Sequence, residues 1–148
     1  MMIRAYYNED YSPLDQLVQQ EMVLQIFPSC KTRIQGRTLL VDFKIKDPDY
    51  RQDYCIQVQY ESQRIHKVFV LKPAITPSVA IHMYPDARLC LYYPPDISPF
   101  RKLWIARDLI PRTALWVCHY EQWLINGNVW KGEEAPGHAQ LLQRLNYQ

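Results

Sequence analysis

Six prolines between Pro73 and Pro99 constrain this chain more than any other feature. Proline fixes φ near about −65°, removes a backbone donor and pushes the preceding residue out of the helical region. The middle of the chain therefore runs extended or as loop, and regular structure must lie on either side of it. Around that middle, 48% of the 148 residues are apolar and 22% are charged. This balance excludes a disordered or low-complexity chain and fits one domain over residues 1–148. A formal charge of +2 argues against a dedicated nucleic-acid binder. No apolar run reaches the roughly 18–20 residues of a membrane span, and Met1–Asn8 holds no apolar signal-peptide core. The expectation is a soluble, cytoplasmic protein with neither nucleic acid nor membrane as partner.

Ahead of the prolines the first element is a helix over Pro13–Ile26. Ser12 suits its N-cap, Pro13 its first position, and Asp15 completes an S-x-x-D capping box. Leu14, Leu17, Val18, Met22 and Gln25 fall along one face at helical spacing, and Pro28 stops the element. In Thr38–Ile45, residues Leu39, Val41, Phe43 and Ile45 alternate as in a half-buried strand. Asp47-Pro48-Asp49 is a turn signal. In Tyr54–Tyr60 the alternation puts Ile56, Val58 and Tyr60 on one face and Cys55 on the polar one. Lys67–Leu71 is a third strand, ended by Pro73. Links this short imply an antiparallel meander of three or four strands. Beyond the prolines the sequence predicts a short helix over Phe100–Asp108 and a stronger one from Pro111 to Ile125. Trp116, Tyr120, Trp123 and Leu124 form its stripe, and Asn126-Gly127 ends it. Residues 130–138 read as irregular, with a last helical turn or two over Gln140–Leu145. The sum is an α+β layout with helices packed on a meander.

Four cysteines stand at 30, 55, 90 and 118, with no C-x-x-C pair and no zinc spacing. A cytosolic disulfide framework is not expected. Each is a small buried hydrophobe or a reactive thiol. Cys90 stands out because it lies in a proline-bounded, loop-biased stretch, Ile81-His82-Met83-Tyr84-Pro85-Asp86-Ala87-Arg88-Leu89-Cys90-Leu91. Leu89-Cys90-Leu91 reads either as a short buried strand or as the setting of a thiol nucleophile.

These residues resemble the ubiquitin-conjugating-enzyme family, in which an N-terminal helix precedes a four-stranded antiparallel meander, an active-site loop and C-terminal helices. There the active cysteine follows a His-Pro-Asn loop in an Ile/Leu-Cys-Leu context. More specifically, the chain is similar to the stand-alone conjugating-enzyme-like proteins of bacterial CBASS antiphage operons, which also encode a cyclic-nucleotide synthase related to cGAS. Two blocks carry that similarity. One is His82-Met83-Tyr84-Pro85-Asp86 leading to Leu89-Cys90-Leu91-Tyr92. The other is Trp116, Tyr120-Glu121, Trp123-Leu124, Gly127, Trp130, Gly132 and His138. The resemblance implies a thioester at Cys90 with the C-terminus of a partner protein, the synthase of the same operon, followed by transfer to an amine. It implies no metal and no cofactor, because a thioester is already activated. No phosphate-binding glycine motif occurs, so an activating enzyme would act in trans.

The departures matter too. His-Pro-Asn is absent, and the place of its asparagine, eight residues before Cys90, is held by His82. The resemblance makes His82 an oxyanion donor or a base; the plainer reading is a histidine bonded to loop backbone. Trp104, the candidate for the family's later tryptophan, lies fourteen residues after Cys90, so the loop Pro94–Arg101 looks expanded. Cys118-His119 reads as core packing, or as a second ligand or a base for Cys90, and Asp86 and Asp96 as loop aspartates or as groups that orient or deprotonate an amine. Glu121 reads as a paired or surface charge. Arg101, Lys102, Arg107 and Arg112 form a basic cluster that is either a solvated face or a dock for an acidic partner. A non-catalytic binding module of the same fold and a small thiol hydrolase or redox enzyme are the rival functions.

Overall fold

The structure is a computed structural model, and it describes residues 10–91 and 101–130. In those residues the order is helix, four strands, a hairpin loop and a second helix. Helix α1 spans Pro13–Ile26, and Ser12 caps it by accepting the Asp15 amide at 3.1 Å, as the capping box requires. Strands β1 (Lys31–Gln35), β2 (Thr38–Ile45), β3 (Tyr54–Tyr60) and β4 (His66–Lys72) form one antiparallel sheet in sequence order. The expected bounds of α1, β2 and β3 match, and the third expected strand gains one residue at each end. The fourth strand is β1, which the sequence reading did not locate. Its residues are nearly all exposed and it pairs on one side only, so it carries no apolar alternation. It is joined to β2 through Gly36, whose φ of +62° suits the first central position of a two-residue hairpin turn.

Across the sheet the register brings Val41 against Val58, and Val58 against Val68. This face packs on α2, the helix Ile110–Ile125, through Trp116, Val117 and Tyr120. Tyr54 meets Tyr120 edge to face at 6.2 Å. Glu121, read as a paired or surface charge, is buried rather than at the surface, and it accepts from the Tyr54 hydroxyl and the Arg51 amide. Gly127, at φ +69°, turns the chain after α2 so that the Asn128 amide reaches the Trp123 carbonyl at 3.2 Å. The short helix expected over Phe100–Asp108 does not form as such. Residues 102–104 have no regular structure, with Trp104 extended, and Ile105–Leu109 make one π-helical turn that runs straight into α2. The Asp108 carboxylate holds this start by accepting the Trp104 amide at 2.7 Å and the Arg101 guanidinium. Phe100, the tail over 131–138 and the turns over Gln140–Leu145 lie outside the described residues.

Helix α1 departs most from its sequence pattern. Its apolar stripe faces outward, with Leu14 70%, Leu17 53% and Val18 42% exposed, and Gln25 exposed beside them. Of the expected face only Met22 packs against the core. The buried face is instead Gln16, Gln19 and Val23, with both glutamines 1% exposed. The reason is local hydrogen bonding. Gln16 Nε2 donates to the carbonyls of Arg37 (2.6 Å) and Glu61 (3.0 Å), at the ends of β-turns that lack ladder partners. Gln19 donates to the Leu103 carbonyl and accepts from the Ile105 amide, each at 2.9 Å. Gln63 brackets the same segment, accepting the Leu103 amide at 2.6 Å and donating to its carbonyl at 2.8 Å. Leu103 and Trp104 precede the π-helical turn and join no sheet, so side-chain amides stand in for a neighbouring strand. A buried backbone group left without such a partner costs about 1–3 kcal/mol, comparable to burying a leucine side chain.

Two outcomes follow from this packing. In urea titrations Gln19→Leu, which orphans the Ile105 amide, should lose about 2–3 kcal/mol, whereas Leu17→Gln should stay within about 0.5 kcal/mol of wild type. The reverse ranking would place the helix the other way round. A pH series should also show a histidine step. Burial holds the His66 imidazole below its ordinary value of 6.5, against the pull of the Ser62 and Gln63 backbone. Below pH 6.5 the unfolded chain therefore binds the proton first, and stability falls with falling pH until the folded state is protonated too. His66→Gln should remove that part of the slope between pH 6.5 and 5.

Candidate active site

Beyond β4 the chain makes one short 3₁₀ turn, Val79–Ile81, capped by Ser78. His82 then adopts the left-handed conformation (φ 57°, ψ 53°) and reverses the chain. From His82 to Cys90 the chain forms a miniature hairpin. The Cys90 amide donates to the His82 carbonyl at 2.9 Å, Met83 bridges Leu89, and the Tyr84 amide donates to the Arg88 carbonyl at 3.0 Å. Pro85 supplies the fixed φ for the turn, closed by the Ala87 amide on the Tyr84 carbonyl at 2.9 Å. Ala87 follows in the left-handed region at φ 74°, the arrangement of a type I turn with a bulge.

This hairpin hangs on the free edge of β4. The Leu89 amide donates to the Val68 carbonyl at 2.8 Å, and Phe69 bridges Arg88. Helix α2 fixes it from the other side. The Trp116 indole donates to the Ile81 carbonyl at 2.8 Å, and Arg112 reaches the Leu91 carbonyl at 3.4 Å. Trp130 closes over the His82 ring at 5.1 Å, and Trp130 also packs on Trp116 and His119. Sheet edge, helix and hairpin thus converge on residues 82 and 90.

Of the residues singled out by the sequence, Cys90 and His82 are brought together. Cys90 is 5% exposed, and His82 is buried. Because the Cys90 amide is already committed to the His82 carbonyl, that amide is not available as an oxyanion donor. His82 serves Cys90 through its backbone carbonyl. Its ring lies against Trp130. The contacts of Cys118 are with other residues. It receives a contact from Gln122 and is a hydrogen-bond partner of Tyr50, whose hydroxyl burial pushes up to about 12. His119 packs on Trp130. Cys30 is buried, which raises its thiol pKa, and Cys55 sits half-buried opposite Lys44. Among the described residues no group of three or more such side chains is placed to hold a metal ion.

Asp86 is a turn aspartate, capping the Arg88 amide at 3.1 Å and paired with Lys67 and Arg88 at 3.5 Å each. Asp96, His138 and most of the loop Pro94–Arg101 lie outside the described residues. The basic cluster is spent on separate structural duties. Arg101 pairs with Asp108, Lys102 with Asp15 at 2.8 Å and above Trp104, and Arg112 with the Leu91 carbonyl, leaving Arg107 exposed.

Sequence reasoning missed Tyr84. Its hydroxyl lies 3.5 Å from the Cys90 sulfur, and the Arg88 guanidinium sits 4.0 Å over its ring. The signal was present: Pro85-Asp86 is a turn pair, and a turn centred there folds residue 84 back beside 88–90.

A four-stranded antiparallel meander, a helix before it, a helix after it and a cysteine on a hairpin at the sheet's edge describe an E2-like protein. The chain belongs to the Type II CBASS E2 protein family, whose model matches residues 19–139. CBASS is an antiviral defence system, so this is a defence-associated E2-like protein. Comparison with curated proteins gives no match. No helix among the described residues is long and apolar enough to cross a membrane.

The left-handed backbone at His82 gives a direct check. Asparagine tolerates that conformation and valine does not. His82→Asn should melt close to wild type, while His82→Val should lose about 1–2 kcal/mol in thermal denaturation.

Proposed function

We propose that the protein is a conjugating-enzyme-like acyltransferase in which Cys90 carries the C-terminus of a partner protein as a thioester. The supporting observation is the position of Cys90 within a family-matched segment, on a hairpin tied to β4 and α2 through four named contacts around it. The reading takes residues 1–148 as one ubiquitin-conjugating-enzyme-like domain working in the bacterial cytoplasm. The partner is the cyclic-nucleotide synthase of the same operon, and the transfer regulates antiphage signalling.

In chemical terms, the Cys90 thiolate attacks the carbonyl carbon of a thioester held by an activating enzyme in trans. A C–S bond forms at Cys90, and the activating enzyme's thiolate leaves with the electron pair. An amine then attacks the same carbon, the C–S bond breaks, its electrons return to Cys90, and the amine proton passes to solvent or a base. The protein contributes position and charge stabilisation, and the thioester supplies the driving force. His82 stands where the resemblance calls for an oxyanion donor.

The 5% exposure of Cys90 favours a second reading, a binding module of the same fold that complexes the synthase without chemistry.

Co-expression with the operon's synthase separates the two. Wild type should yield an adduct removed by thiol reductant, Cys90→Ser an adduct that resists it, and Cys90→Ala none. If intact mass shows no adduct on any form while the proteins still co-purify, the binding module is the function. Within the acyl-carrier reading, His82→Asn should retain transfer to an amine within a few-fold, and His82→Ala should lose about 10²-fold or more.

A further inference from the structure

Cys90 does not share the main core. Among the described residues it forms a separate small cluster with Tyr84, against Val79. A cysteine kept only as a small hydrophobe has no need of a polar neighbour, yet a phenol oxygen lies 3.5 Å from its sulfur. The two are fixed relative to each other because both sit on the 82–90 hairpin, with the Tyr84 amide and the Cys90 amide in the same short ladder. With the thiol neutral, Sγ–H donates to the Tyr84 oxygen across 3.5 Å. With the thiol ionised, the direction reverses and the phenol donates to sulfur. A hydrogen bond to the charged form favours that form.

The second observation is the cation. Arg88 lies 4.0 Å over the Tyr84 ring, on the face of a phenol whose hydroxyl meets the sulfur. A guanidinium there withdraws electron density from the ring and makes the hydroxyl a stronger donor. Arg88 is held in place by the hairpin itself, through its carbonyl to Tyr84 and its amide to Asp86.

We infer that Tyr84 and Arg88 are positioning residues that stabilise the thiolate of Cys90, as nucleophile when the acyl group arrives and as leaving group when it departs. The catalytic consequence rests on the acyl-carrier reading of Cys90; the thiolate stabilisation does not. Among the described residues, other charged and titratable groups near the site have contacts of their own. Asp86 pairs with Lys67 of β4 as well as with Arg88 and so tempers the cation. Arg112 of α2 reaches the Leu91 carbonyl, His82 packs on Trp130, and His119 lies against Trp130 as well.

The test reads the thiolate without any partner protein. The purified chain is alkylated with iodoacetamide across pH 5–10, and label at Cys90 is followed by peptide mass spectrometry, which separates it from Cys30, Cys55 and Cys118. Tyr84→Phe keeps the ring and removes the hydroxyl. Its alkylation midpoint at Cys90 should rise by about one pH unit, so that labelling near neutral pH slows about tenfold. Arg88→Met keeps an aliphatic chain over the ring and should shift the midpoint in the same direction by a smaller amount, while Arg88→Lys should restore most of it. Near-UV circular dichroism of each variant should match wild type. An unmoved midpoint in Tyr84→Phe overturns the proposal, and an unmoved midpoint in Arg88→Met removes Arg88 from it. The co-expression assay is a separate arm. Shifted midpoints with no Cys90 adduct on any form would leave the thiolate pair standing and sink the carrier reading. An adduct with unmoved midpoints would do the opposite.

Discussion

The domain depends on a set of side-chain amides that replace a missing strand. Residues 103–105 lead into α2 with no sheet neighbour, and Gln19 and Gln63 satisfy the Leu103 amide, the Leu103 carbonyl and the Ile105 amide. Their own positions are tied to the sheet end by the Tyr60 hydroxyl, which receives Gln63 at 2.7 Å and donates to Asp15 at 2.6 Å. Burial strengthens each of these bonds and raises the cost of breaking any one. Helix α1, the β3–β4 turn and the start of α2 are thereby fixed to one another by polar contacts, in addition to the apolar core that Val23, Leu103 and Ile105 share with the sheet and α2.

That arrangement has a consequence along the first two turns of α2. Because its start is held at Ile105–Leu109, the helix presents Arg112 and Trp116 to the loop beyond β4, where they engage the Leu91 and Ile81 carbonyls. These contacts bracket the hairpin one residue before His82 and one residue after Cys90. A reactive thiol needs a fixed approach more than it needs many partners. The sheet edge supplies one wall, through the Leu89 and Val68 pairing, and α2 supplies the other. The family match covers both walls and the hairpin between them.

Much of this was legible in the sequence where the physics is local. The capping box at Ser12, the alternation in Thr38–Ile45 and Tyr54–Tyr60, and the glycine after Asn126 each name a conformation that neighbouring residues enforce. Cys90 was legible because prolines bound its segment. The edge strand Lys31–Gln35 was not, since a strand with one partner and two wet faces has no apolar period. The role of Tyr84 was half legible: Pro85-Asp86 marks the turn, but only the turn's bulge at Ala87 brings the hydroxyl to the sulfur.

Helix α1 marks the boundary most clearly. The sequence by itself determined that Pro13–Ile26 is a helix, where it starts and where it stops, because caps, prolines and propensity act within a turn or two. It also determined the meander and the candidate thiol. Which face of α1 turns inward was decided by tertiary structure alone. Apolar periodicity points to Leu14, Leu17 and Val18, yet the surface that α1 meets is made of unpaired carbonyls and amides at residues 37, 61, 103 and 105. Leaving those groups buried without partners costs more than leaving three aliphatic side chains partly in water. That cost exists only once distant segments have been brought together, so no pattern within the helix encodes it.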